Sequence, residues 1–398
     1  MSNVSSSNGQ GVIAPKLRFN GFLEDWELVR IGDVYAERSE RGAENMDLLS
    51  VTMTEGVKMR SDIEGKDNSS EDKSNYKIVY TGDMVYNSMR MWQGASGISP
   101  YDGIVSPAYT ILKPRIPISN GFFAALFKNE RLINAFRKNS QGMTSDTWNL
   151  KYPQIETIKI HIPSVSEQEK ISEFIALVDA KIAKQRILVD SLKKYKRGLV
   201  SSILSEKIKI SDEPWEECTI GDFLASKSIK QLPTEEAPLM AFTATGGVCD
   251  KGERYDRGFL VKDASTKLYK RTDYGDFIYS SNNLDVGSIG LNLYGSAVIS
   301  DVYEIFSING ADPWFISEVI QQKPIMRDIL KYRQGCLYGQ YRIYAEDFLS
   351  VKIRIPSLPL QSKIGALISQ VESKILAEQG LLDNLEKCKA ALLQMMFI

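Results

Sequence analysis

Between Ile171 and Ile203 apolar residues step along the chain by threes and fours, with no proline to interrupt them. The series Ile171, Ile175, Val178, Ile182, Gln185, Val189, Leu192, Lys196, Leu199, Ile203 is one stripe of a long helix, predicted over roughly 167–204. The stripe returns as Ile364, Ile368, Val371, Ile375, Glu378, Leu382, Leu385, Lys389, Leu392, Met396, which predicts a second helix over roughly 360–397. Both stripes carry polar interruptions at the same two places. Ahead of each helix the period changes to two: Ile158/Ile160/Ile162 and Val351/Ile353/Ile355 predict strands, ended by Pro163 and Pro356. Earlier still, Asp83-Met84-Val85-Tyr86 and Ile104 to Leu112 read as strands. Ser119 reads as the N-cap of a helix reaching about Arg137, and Asp312-Pro313 makes a similar start in the second half.

These elements belong to an internal repeat. Trp26-Glu27 and Ile31-Gly32-Asp33 recur as Trp215-Glu216 and Ile220-Gly221-Asp222, a shift of 189. Tyr76-Lys77, Gly82-Asp83 through Tyr86, and Gln141-Gly142 recur as Tyr269-Lys270, Gly275-Asp276 through Tyr279, and Gln334-Gly335, a shift of 193. From Lys159 the shift of 193 holds without a gap, with Ile160, Ile162, Pro163, Ser164, Gln168, Lys170 and Ile171 all repeated. The pattern predicts an α+β chain: two similar mixed α/β domains joined by two long helices under a pseudo-twofold axis. Pairing the helices antiparallel as a coiled coil is economical, because the chain must return through the second globular region. About 38 residues give roughly 57 Å, so the helices form a rigid spacer. The expected division is a flexible tail over 1–14, a domain over 15–163, helix and linker over 164–210, a domain over 211–356, and a helix over 357–398.

The copies part company between Met143 and Thr157, which pairs with Cys336 to Ser350 and shares no identity with it. A common scaffold with dissimilar loops suits two readers of different short sequences; ordinary loop drift would look the same.

Composition narrows the choice. The chain has no apolar run long enough to span a membrane, and its Ser/Asn/Gly-rich start lacks the apolar stretch of a secretory signal. Four scattered cysteines and one histidine, His161, make no zinc or disulfide framework and fit a reducing cytoplasm. Net charge is −1. Residues 1–163 carry 19 basic and 19 acidic side chains, 164–210 carry 10 and 6, and 211–355 carry 16 and 21. Phosphate affinity comes from Lys and Arg, so tight DNA binding by this chain alone is not expected and the charge points to a partner.

The chain resembles the specificity subunit of type I restriction-modification systems over about residues 15–398. The resemblance rests on Pro15-Lys16-Leu17-Arg18-Phe19 leading to Trp26 and Ile31-Gly32-Asp33, on Ile160-His161-Ile162-Pro163 before Glu167-Gln168 and Ile171, and on the half-chain repeat. The second copy departs where Leu360 stands for Glu167 and Asp212-Glu213-Pro214 replaces the fuller opening motif. The resemblance implies two target-recognition domains that read a bipartite double-stranded DNA site. It further implies docking of two methyltransferase (modification) subunits and of nuclease/translocase (restriction) subunits, in the service of DNA methylation. S-adenosylmethionine would then sit in the methyltransferase partner, and ATP and Mg²⁺ in the nuclease partner, with no cofactor in this chain.

No amino-methyltransferase Asn-Pro-Pro motif, phosphate loop or His/Cys constellation is present in the sequence. Asp62 with Glu64-Gly65-Lys66 is superficially like a nuclease motif but lies in a polar stretch without a counterpart in the second copy. His161, opposite Ile160 and Ile162 on its strand, reads as an exposed polar position. Loops are the expected DNA-contacting elements. Lys58, Arg60, Arg90, Trp92, Gln93 and Thr144 in copy one combine guanine readers, amide readers and a stacking ring. Arg254, Lys267, Lys270, Asn282, Asn283, Tyr338, Gln340 and Arg342 play the same parts in copy two. Each basic residue alone could equally be a solvated surface charge. The run Lys193-Lys194-Tyr195-Lys196-Arg197 reads as outward-facing, toward a partner, spacer phosphates or water. Two rivals stay open at this point: a coiled-coil scaffold without sequence-specific DNA binding, and a modification or restriction fragment with unrecognised catalytic motifs.

Overall fold

The computed structural model describes all residues except 1–12, 43–44, 54, 68, 145–146, 245, 251–266, 283, 285–286 and 336–340. It divides into two compact units, Met1–Ile187 with Gly380–Ile398, and Leu188–Gln379. The long helices Val165–Leu204 and Leu358–Met395 each contribute to both units rather than forming bodies of their own. Of the expected tail, Ile13 is tied to the fold: its carbonyl accepts from the Trp26 N–H at 2.9 Å.

The two units repeat one plan. Glu27–Arg30 pairs antiparallel with Lys159–Ile162, and Glu216–Thr219 with Lys352–Ile355, with Val29 opposite Ile160 and Cys218 opposite Ile353. The alternation read from the sequence holds: Ile158, Ile160 and Ile162 are buried while Lys159 is exposed. His161 on the opposite face is half-buried, and burial lowers its pKa. Next comes a four-stranded antiparallel sheet in the order Tyr35–Arg38, Tyr109–Pro114, Met84–Asn87, Ser96–Ile98. Its counterpart runs Leu224–Ser226, Tyr303–Ile308, Phe277–Ser280, Ile289–Leu291. Period two sorts the side chains. Met84 and Tyr86 enter the main core against the helices, and Val85 enters a smaller core with Leu49, Val57, Val79 and Ile111. Phe277, Tyr279 and Ile278 divide in the same way.

Two expected elements are broken for local reasons. The strand expected from Ile104 to Leu112 is two, Gly103–Val105 and Tyr109–Pro114. Pro107 has no N–H to give a ladder, and Ser106 instead accepts from the Tyr109 N–H in a turn at 3.0 Å. The helix from Ser119 is Asn120–Leu126 followed by Glu130–Asn139, because Asn129 caps the second by accepting from the Arg131 N–H at 2.9 Å. In the second unit the same pair is Pro313–Ile320, capped by Asp312, and Lys323–Leu330.

The repeated motifs are joints of the scaffold. In Ile-Gly-Asp, the Ile31 and Ile220 N–H groups donate to the carbonyls of Ile158 and Val351. Asp33 and Asp222 accept from the backbone N–H three residues earlier, at 2.8 and 2.7 Å. Close approach requires the glycine in the first copy, where a Cβ on Gly32 would stand 2.9 Å from the Glu156 Cβ, and favours it in the second, where one on Gly221 would stand 3.2 Å from the Leu349 carbonyl oxygen. Gln168 and Gln361 are 2 % exposed. Their amides donate to the Pro163 and Pro356 carbonyls at 2.9 and 2.8 Å, and accept from the Ser119 and Asp312 N–H groups at 3.0 and 3.2 Å. One side chain thus ties strand, long helix and cap together. Replacing either glutamine with leucine leaves a backbone donor and acceptor unpaired in the core. Urea unfolding should register a loss of about 1–3 kcal/mol in the unit that carries the change.

The helix seams are also as the stripes foretell. Ile171, Ile175 and Ile182 are buried in the first unit, and Ile364, Ile368 and Ile375 in the second. Within each unit the two helix segments run antiparallel in one register. Asp179 meets Lys389 at 2.5 Å in the first, and Glu372 meets Lys196 at 2.9 Å in the second. These four residues are two pairs of repeat equivalents, so one of the two polar interruptions in each stripe, Lys196 or Lys389, is one half of an inter-helix ion pair. Lys196 is therefore not part of an outward basic face: it also bonds Glu318 at 2.5 Å. Burial alone would lower its pKa, but the Glu318 and Glu372 carboxylates outweigh that and raise it. The ends of the helices close the cores, Leu393, Met396 and Phe397 in the first unit and Val200 and Ile203 in the second.

Candidate nucleic-acid interface

In the first unit the hairpin Leu49–Thr52/Gly56–Met59, the turn Met91–Gln93 and the segment Gln141–Leu150 carry the candidate contacts. Arg60 and Arg90 line one depression of about 460 Å³ together with Lys66, Asn87 and Tyr109. They differ in how their charge is used. Arg60 donates to the carbonyls of Ile63, Gly65 and Lys66 at 2.7, 3.1 and 2.7 Å and lies 3.6 Å from Asp67, so it shapes its own loop. Arg90 caps the turn through its backbone, and its side chain is exposed. Lys58 bonds Glu55 at 2.6 Å, which raises its pKa. Gln93, half-buried, ends the turn with its N–H on the Arg90 carbonyl at 3.0 Å. Trp92 donates its indole N–H to the Met89 carbonyl at 3.1 Å and meets Trp148 edge-on, ring centres 5.3 Å apart. Arg137 lies 5.9 Å over the Trp92 ring. Thr144 is exposed, in a turn closed by Thr147.

Sequence reasoning missed two residues here. Trp148 lay in plain view inside the divergent segment. Lys128 leaves no motif: its ammonium donates to the carbonyls of Met53, Gly94 and Ser96 at 3.0, 2.5 and 3.0 Å, fastening the hairpin turn and the Arg90 turn to the helical layer. Burial, with the Lys389 charge nearby, pushes its pKa down to about 8. Between about 8 and the ordinary 10.5 the unfolded chain binds this proton more than the folded one does, so stability rises with pH across that window. Lys128→Met should remove that slope, worth about 3 kcal/mol over the window, in urea midpoints measured as a function of pH.

In the second unit Arg254, Asn283, Tyr338 and Gln340 lie outside the described residues. Lys267 is exposed, its ammonium 5.3 Å from the Tyr269 ring centre. Lys270 is turned inward: it donates to the Tyr303 carbonyl at 2.7 Å and to Glu304 at 2.8 Å. Its repeat equivalent Lys77 donates to the Tyr109 carbonyl at 2.8 Å, so this lysine is a strut of the scaffold in both copies. The structure does bring Asn282 and Arg342 together, across an antiparallel bridge. Arg342 bonds Glu304 at 3.0 Å and lies 5.0 Å over the Tyr344 ring.

Among the described residues no group of three or more His, Cys, Asp or Glu is arranged to hold a metal ion, and no helix is long and apolar enough to cross a membrane. A depression of about 950 Å³ lies in the second unit near Trp215, Leu204 and Ile325, and none of the candidate base or phosphate contacts named above lines it.

The chain is similar to known proteins in sequence and in fold. Residues 23–189 match the family model of the type I restriction modification DNA specificity domain. The specificity subunit of the type I restriction enzyme MjaVIII of Methanocaldococcus jannaschii is 21 % identical over 420 residues, covering 94 % of this chain and 92 % of its own. That of MjaIX from the same organism is 22 % identical over 330 residues, covering 77 % and 72 %. The S subunit of a type I restriction-modification system from M. genitalium shares the fold with a TM-score of 0.61 at 14 % identity, over 97 % of this chain and 99 % of its own.

Proposed function

We infer that this chain, a type I restriction-modification specificity subunit by the domain in its residues 23–189 and by the plan of both halves, supplies DNA sequence recognition without catalysis. The observation that carries the reading is the contrast between what the copies share and where they differ. Shared residues such as Gln168/Gln361 and Lys77/Lys270 are joints of the scaffold. The segment that shares nothing, after Gln141-Gly142 and Gln334-Gly335, brings Trp148 against the candidate contact Trp92 in the first unit and Arg342 across from Asn282 in the second. Each unit then reads one part of a bipartite double-stranded site.

The same reading assigns the partners. A helix pair whose inter-helix contacts repeat offers two near-equivalent docking faces, which suits two methyltransferase subunits. Nuclease/translocase subunits would join the complex for restriction. S-adenosylmethionine belongs to the methyltransferase and ATP with Mg²⁺ to the nuclease, and the cytoplasm is where such a complex would meet DNA. A net charge of −1 supports dependence on partner-supplied positive surface.

The test compares the purified chain with its reconstituted methyltransferase complex in gel shifts at fixed salt, with excess non-specific competitor. Competitor-resistant binding is expected only for the complex. S-adenosylmethionine binding by the isolated chain would contradict the division of labour. Within the complex, Arg90→Ala should relax sequence preference in one half-site only, measured on duplexes with single base changes; equal weakening on every duplex would mark Arg90 as a phosphate contact.

A further inference from the structure

We propose that Asn149 and Arg342 are matched base-reading side chains of the two units, an amide suited to an adenine edge in one and a guanidinium suited to a guanine edge in the other, with Glu304 as the positioning residue of Arg342. This rests on the DNA-reading function inferred above and names the chemistry of that site.

The two residues occupy one position of the repeat, and the backbone there is pinned identically. The next residue in each copy, Leu150 or Ile343, is fully buried and donates its N–H to the carbonyl of Ser88 or Ser281, at 2.9 Å in both. Gln141 pairs across from Asn149, and Gln334 across from Arg342. A position held this firmly presents its side chain in the same place in each unit. The side chain itself has nevertheless changed from amide to guanidinium.

Its support has changed with it. Register places Thr110 opposite Tyr86 and Glu304 opposite Tyr279, so Thr110 and Glu304 are equivalents. Thr110 shares a hydrogen bond with the Ser88 hydroxyl at 2.8 Å, a neutral pair in the copy that carries the neutral amide. Glu304 accepts from Arg342 at 3.0 Å and from Lys270 at 2.8 Å, a carboxylate where the neighbour is a cation. The Tyr344 ring, 5.0 Å away, and the Glu304 carboxylate together fix the guanidinium plane, while the Arg342 side chain stays 36 % exposed.

A second observation falls on the same two residues. The Asn149 Oδ1 and the Arg342 Nε are shielded from solvent and have no hydrogen-bond partner. A shielded polar atom without a partner is costly and calls for a reason. It recurs at one repeat position with different chemistry in each copy, so at neither residue is this atom committed to a bond within the scaffold. Asparagine matches the donor–acceptor pair of adenine N6 and N7, and arginine the two acceptors of guanine O6 and N7.

The test passes variants of the reconstituted methyltransferase complex through selection from randomised duplexes. Asn149→Arg should move one position of the first half-site from A·T to G·C, and Arg342→Asn should move one position of the second the opposite way. Each shift should be about tenfold to hundredfold in relative enrichment, with the other half-site and the spacing unchanged. Glu304→Gln should weaken the preference at the Arg342 position alone, which a merely structural carboxylate would not do. If Asn149→Arg does not fold, Asn149→Asp keeps the size and should lose the adenine preference. Variants that keep the wild-type motif, or that weaken every sequence alike, overturn the assignment. A wild-type complex that enriches nothing overturns the DNA-reading function and the assignment with it.

Discussion

Arg18→Ala is expected to destabilise the first unit by about 3–5 kcal/mol, the largest single effect of any polar substitution in it. Arg18 is 5 % exposed and Glu167 1 % exposed. The guanidinium grips both carboxylate oxygens at 2.8 Å and donates a third bond to the Glu24 carbonyl at 2.6 Å. Removing the arginine leaves a buried carboxylate without its counter-charge, and the penalty is mainly the desolvation of that orphaned charge. The second copy supplies the control. Leu360 stands at the position of Glu167, is 6 % exposed, and belongs to the apolar core. The double change Arg18→Met with Glu167→Leu should therefore recover most of the loss, since an apolar pair of similar volume replaces an ion pair at little net cost. Urea unfolding of the wild type, the single variant and the double variant decides the matter; a double variant as unstable as the single one would show that the ion pair itself, rather than the unpaired charge, sets the stability.

Phe348→Ala is expected to cost the second unit about 3–5 kcal/mol. Phe348 is fully buried, its ring stacked 4.4 Å from Tyr279, 5.7 Å from Phe306 and 6.1 Å from Phe277. Truncation empties a space bounded by three rings carried on the strands Phe277–Ser280 and Tyr303–Ile308. The consequence reaches the candidate interface, because Tyr279 also donates its hydroxyl to the Ile343 carbonyl at 3.1 Å, beside Arg342. The complex carrying this variant should lose preference in the second half-site before the first, a split that duplexes altered in one half at a time will resolve. Equal loss in both halves would mean that the units do not read independently.

The parts of this fold that the sequence made legible are those where a period fixes burial. The helix seams, the alternation at Ile158, Ile160 and Ile162, and the repeat itself are of this kind, and burial follows them residue by residue. Breaks were less legible because they hang on single side chains: the Asn129 cap divides one expected helix, and Pro107 divides one expected strand. The candidate contacts show the same limit. Arg60 and Lys270 look like surface bases in the sequence, yet their nitrogens go to nearby carbonyls and carboxylates, a matter of loop geometry that no periodicity records. One signal was present and pointed the other way. Lys270 is identical in both copies, and identity between two readers of different sequences marks scaffold, whereas Arg342 faces Asn149 at its repeat position. Lys128, which fastens the first unit's loops, has Gln321 as its equivalent and could be found only through its contacts.

The central claim is that two copies of one unit read two different short sequences held at a fixed distance. Selection from a fully randomised duplex library, using this chain assembled with the methyltransferase partner proposed above, tests it most directly. The account predicts two short enriched motifs, unlike each other, at one constant spacing. A stable complex that enriches no motif, or a single uninterrupted one, would contradict it.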